Sequence, residues 1–167
     1  MYPPQRSTHT RASLCNATIM QTITALARRI WDAPAYIAVV PPLAVSIDYA
    51  LTFYLAGNTG MILQWEASPL VRFAVAHNSM ALYFLALVVF YYAAAYAVLR
   101  ILHPTGFYRY GVGLVLLVSL THVLGGISWQ LKNSWYSYGI AALSLLTIII
   151  AICLFGYAFF RQSRSSA

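Results

Sequence analysis

The chain has 167 residues, of which 61% are hydrophobic and 8% charged, with a net charge of +7. Soluble domains carry about 25% charged residues, so a water-facing globule is excluded and lipid must be the solvent over most of the chain. All ten basic residues lie outside the long apolar runs or at their ends, so the positive balance reads as membrane orientation and surface contact, not nucleic-acid binding.

Residues 1–15 are polar and read as a flexible tail without the basic-then-apolar layout of a signal peptide. Over residues 16–34, Ile19, Ile23, Leu26 and Ile30 recur at helical spacing, with Gln21, Arg28 and Arg29 elsewhere on the wheel. Two forms fit this pattern equally: an interfacial amphipathic helix, or a helical extension packed on the bundle. Cys15 and Cys153 lie at opposite ends of the sequence and do not form a disulfide framework. Asn16-Ala17-Thr18 matches a glycosylation acceptor but falls on the expected inner side.

Four apolar spans make up a transmembrane domain over 35–160: about Ala35–Ala56, Met80–Leu102, Tyr110–Trp129 and Tyr138–Phe160. Each approaches the roughly 20 residues needed to cross a bilayer as a helix. The runs are continuous and not alternating, which excludes a β-barrel. The fold class is therefore all-α, an up-down bundle of four transmembrane helices. Pro41-Pro42 should kink the first span, and Gly57-Asn58-Thr59-Gly60 should break it. Ser68 is placed to cap a helix starting at Pro69, the earliest start for the helix of the second span. Ala93 and Ala97, and the glycines of the third span, mark close-packing faces within the chain or between subunits.

Of the ten basic residues, eight fall in the first and last segments and the second loop, and only Arg72 and Lys132 in the alternate loops. This pattern places both termini, including the tail 161–167, in the cytoplasm of a multi-pass cell-membrane protein. Trp65, Trp129, Trp135, Tyr136 and Tyr138 then cluster at the outer ends, where an aromatic belt belongs.

Asp48 is the one charge in the first span, and an ionisable group there is expensive enough to mark a functional site. It lies about 20 Å up its helix from the inner end, and His122 lies about 18 Å up the third. Equal depth makes them partners. Thr52 shares a face with Asp48, and Ser119 shares one with His122, so the four residues define a polar seam. Glu66 and His77 form an outer layer that reaches this seam only if 57–69 folds back over the bundle.

Several roles suit such a group. Asp48, His122, Glu66 and His77 offer the N/O donors of a divalent metal site, though none shows a metal-type local spacing. Asp48 and His122 could relay protons, since histidine titrates near neutrality. A haem held by His77 and His122 is disfavoured, as their depths differ by more than about 10 Å. A structural Asp–His pair that fixes helix register uses the same residues without chemistry. Gly125-Gly126 and the Tyr91, Tyr92 and Tyr96 set read as packing, not as phosphate or quinone sites.

The order Asp48-x-x-x-Thr52, then Gly57 or Gly60, then Glu66-x-Ser68-Pro69-Leu70 resembles an archaeal family of small polytopic membrane proteins grouped as a domain of unknown function, DUF5658. The resemblance covers about 44–100. Here Ser68 stands where that family has Asn, and the Gly-to-Glu spacing is longer. It implies that Asp48, Thr52, Glu66 and Pro69 act together, and it supplies no reaction.

Two functions follow. The first is a non-enzymatic membrane protein that self-associates or serves as a subunit with another membrane protein. The second is an intramembrane enzyme or a proton- or metal-coupled carrier centred on Asp48 and His122.

Overall fold

A computed structural model describes residues 20–26 and 29–165, without the side chains of 158–159 and 161–165. The expected tail 1–15, Ile19 and Arg28 lie outside them. The described residues contain helices and no strand: α1 (Pro34–Ile37), α2 (Val40–Ala56), α3 (Thr59–Trp65), α4 (Pro69–Ala76), α5 (Met80–Leu102), α6 (Tyr108–Leu131) and α7 (Ser134–Ser165). Residues 20–26 and 29–31 are also helical, with exposed side chains.

Four stretches are long and apolar enough to cross a bilayer: Pro34–Ala56, Met80–Leu102, Tyr108–Leu131 and Ser134–Tyr157. The chain is a small multi-pass membrane protein with the expected all-α architecture. The first span has its irregularity at Ala38–Val39, between α1 and α2, because Pro41 sits in the first turn of α2, where its missing N–H costs nothing. The second span begins at Met80 and not at Pro69. Asn78, at φ 52°, breaks the chain after α4. The fourth runs past Phe160 to Ser165, so 161–165 continues the helix expected to end there.

The turns follow local chemistry. Gly57 ends α2 in the left-handed region at φ 71°. The Asn58 side chain accepts the Met61 amide at 2.9 Å and starts α3, so the expected four-residue break is only two residues long. Ser68 caps α4 by accepting the Val71 amide, with Pro69 next, as the sequence implies.

Helices α2 and α6 form the most intimate pair; α5 packs against both, while α7 packs on α6. Helices α5 and α7 are not among the closely packed pairs. Helices α3 and α4 cover one end of the bundle, here termed the capped end. Ala56, Ile62 and Val71 are buried there with Tyr49, Phe53 and Trp129 against them. At the opposite end, Tyr108 donates to the Trp31 carbonyl at 2.6 Å, and the His103 imidazole Nε2 lies 3.2 Å from the Asp32 carbonyl. These contacts tie the entering segment to the bundle.

Candidate functional site

Asp48 and His122 meet. The imidazole Nδ1 lies 3.0 Å from the Asp48 Oδ2, with side-chain exposures of 19% for Asp48 and 23% for His122. Pairing lowers the cost of placing either group at this depth. The other imidazole nitrogen is also engaged: Nε2 lies 2.7 Å from the Tyr91 hydroxyl, with the two rings edge to face. Three spans therefore contribute one residue each to a continuous Asp48–His122–Tyr91 chain.

The reason these helices approach so closely is written one turn beyond His122. A Cβ on Gly126 would stand 3.0 Å from the Asp48 Cα and 3.2 Å from its carbonyl oxygen. Gly125 faces the Asp48 carboxylate at ordinary contact distance. The double glycine is a packing device, as the sequence implies, and it packs against the site itself.

One arrangement of protons satisfies every partner. Nδ1–H donates to the Asp48 carboxylate, and the Tyr91 hydroxyl donates to Nε2. A proton arriving at Nε2 turns the imidazole into a donor at both nitrogens. The Tyr91 oxygen then accepts, and its own proton is free to point elsewhere.

The free space beside this chain is a cavity of about 890 Å³, lined by Asp48, His122, Tyr91, Thr52, Glu66 and Lys132 among others. The segment 57–69 does fold over the bundle, which brings Glu66 to the cavity wall. Its Oε1 accepts the Ser68 amide at 2.9 Å. Burial pushes the Glu66 carboxyl above its ordinary value near 4.5. The Ser68 and Ala67 amides and Arg72 oppose that rise, and the Asp48 charge adds to it.

The remaining sequence candidates fall elsewhere. Ser119 is buried but donates to the Val115 carbonyl one turn back, and it does not line the cavity. His77 is exposed, stacks on Phe73 and places Nδ1 2.9 Å from the Phe73 carbonyl, away from the cavity. Among the described residues no three of His, Cys, Asp and Glu converge as a metal-binding group. Both imidazole nitrogens of His122 are already bonded, and its direct contact with Asp48 leaves no room for a bridging ion.

Sequence reasoning missed Tyr91, which it assigned to helix packing. Depth would have found it. Measured from the capped end, Asp48, His122 and Tyr91 lie about 12, 14 and 17 Å along their helices.

No protein-family model, curated protein or solved structure matches the chain.

Proposed function

We infer that this membrane protein binds a small molecule in the cavity at its capped end and exchanges a proton with it through Tyr91, His122 and Asp48. The carrying observation is the occupancy of both His122 nitrogens, by a carboxylate on one side and by a cavity-lining hydroxyl on the other. The second bond connects the imidazole to a hydroxyl at the cavity wall, where a bound molecule can reach it. Tyr91 is the terminus of the relay, His122 its exchanging group, and Asp48 the charge that holds the imidazole in one tautomer. The basic residues favour the capped end as the outer one, with both termini cytoplasmic. The resemblance to the DUF5658 family groups Asp48, Thr52, Glu66 and Pro69, of which the first three line this cavity and Pro69 does not.

Infrared difference spectroscopy across a pH step, on the protein in liposomes, tests the relay. A carboxyl band lost in Asp48→Asn and displaced in Tyr91→Phe supports it. Difference spectra identical in wild type and both variants contradict it.

A second reading, association with itself or with another membrane protein, is favoured by one surface. Ala93 and Ala97 lie exposed on α5 beside the stacked Tyr92–Tyr96 pair, which leaves a close-packing seam without a neighbour. Efficient disulfide cross-linking of Ala97→Cys in membranes supports association; its absence under oxidising conditions counts against it.

A further inference from the structure

The cavity is bounded by two helices, α5 and α7, that are not among the closely packed pairs of the bundle. Tyr83, Leu87 and Tyr91 recur every fourth residue on α5, and Ser137, Ile140, Ala141 and Ser144 follow helical spacing on α7. Leu87 on α5 and Ile140 and Ala141 on α7 line the cavity while keeping part of their surface exposed, and the two helices are not closely packed, so this wall is the side of the cavity that lipid can reach. Ala141, a small and exposed residue, lies on that boundary. The sides of the gap are Leu87, Ile140 and Ala141, and the interior sets the polar groups Asp48, Glu66, His122 and Tyr91 within a largely aromatic and apolar wall. A ligand that filled both parts would have a tail in the gap and a head among the polar groups.

The chemistry of the interior selects the head. The formal charges lining the cavity are two carboxylates, Asp48 and Glu66, and one cation, Lys132. Lys132 is exposed in the left-handed residue that closes α6, at the rim. Asp48 uses Oδ2 for His122, while Oδ1 lies beside Gly125. The aromatic rings of Tyr49, Tyr83, Trp65 and Trp129 surround this region. Carboxylates within an aromatic wall attract a cation both by direct charge and through ring faces.

We propose that the occupant is a cationic amphiphile, an amine-headed molecule with a hydrocarbon tail, which enters sideways from the bilayer between α5 and α7. This rests on the cavity being a binding site, and it adds the ligand class and the route. An ammonium head set against Asp48 has a proton to give to the Tyr91–His122 chain, whereas a carboxylate head would meet two like charges. The tail remains in contact with lipid through the gap, so the ligand need not leave the membrane to bind.

The test uses the full-length protein in nanodiscs of neutral lipid. The probes are a long-chain primary alkylamine carrying a photoreactive diazirine in its chain and a fatty acid of the same length with the same diazirine. After illumination, labelled peptides are mapped. The expected result is labelling of Leu87, Ile140 and Ala141 by the amine, on the order of tenfold above the fatty acid, with both probes labelling the outward-facing Leu85 alike. Ala141→Trp should close the gap and suppress labelling of Leu87 while leaving Leu85 unchanged. Equal labelling of the gap by both probes, or gap labelling no stronger than at Leu85, overturns the proposal. If the amine labels the gap but Tyr91→Phe leaves the infrared difference spectrum unchanged, the ligand class stands and the proton relay fails. If the spectrum responds but the amine avoids the gap, the relay stands and this proposal fails.

Discussion

Gly126 lies against the backbone of Asp48, so close that a methyl group there would reach within 3.0 Å of the Asp48 Cα. Because the neighbour is backbone and not a flexible side-chain end, it cannot turn aside. Gly126→Ala should therefore push α2 from α6, destabilise the fold by about 1–3 kcal/mol and weaken the Asp48–His122 bond. Thermal unfolding in detergent should show the lowered midpoint. Gly113→Ala, on the same helix but with open space where its Cβ would stand, should leave the midpoint near wild type.

Tyr91→Phe removes one hydroxyl and leaves the ring. The loss should cost only about 0.6–2 kcal/mol, the range for hydrogen bonds between membrane helices, so the protein should fold. The proton response of the site should nonetheless change. Asp48→Leu should be far more damaging than Tyr91→Phe, because it strips the imidazole of its anionic partner within the bundle. Comparing the melting midpoints of the two variants checks this order.

Glu66 should make stability depend on pH. Its folded carboxyl titrates above the ordinary value near 4.5, chiefly because it is buried. The native chain therefore holds this proton more tightly than the unfolded chain. Stability from this source is fully present below the ordinary value. It is lost as pH rises through the raised one, and it is level above that. Glu66→Gln should flatten the corresponding segment of a plot of melting midpoint against pH, and an unchanged slope would remove Glu66 as its source.

The orientation can be checked in intact cells. With Cys15 and Cys153 replaced by serine, a cysteine placed at Asn58, in the capped end, should react with a membrane-impermeant maleimide. One placed at Ser163 should react only after the membrane is permeabilised. The reverse pattern would invert the assignment.

The four spans were legible because each is a continuous apolar run, and a run of that length has one low-cost structure in lipid. The cap at Ser68-Pro69 was legible for a local reason: the hydroxyl and the missing N–H both act within one turn. Depth alone paired Asp48 with His122. Two features were not readable in this way, and a third, Tyr91, was legible by depth but passed over. Ser119 shares a face with His122 but bonds to its own helix, an option open to any serine in a span. His77 sits at the break after α4, and the direction of a residue at a break depends on the turn and not on helical spacing. Tyr91 was obscured because an aromatic residue in an apolar helix usually packs, and its hydroxyl gains significance only once a third helix brings His122 beside it.

The most direct test of the central claim is nitrogen NMR of the protein in nanodiscs, with histidine labelled in both ring positions. His122 is assigned by comparison with His122→Gln. The Asp48–His122–Tyr91 chain predicts a single neutral tautomer with the proton on Nδ1 and Nε2 accepting a hydrogen bond. The Nε2 resonance should move toward its unbonded position in Tyr91→Phe. A His122 spectrum with the proton on Nε2, or one that Tyr91→Phe leaves unchanged, would contradict it.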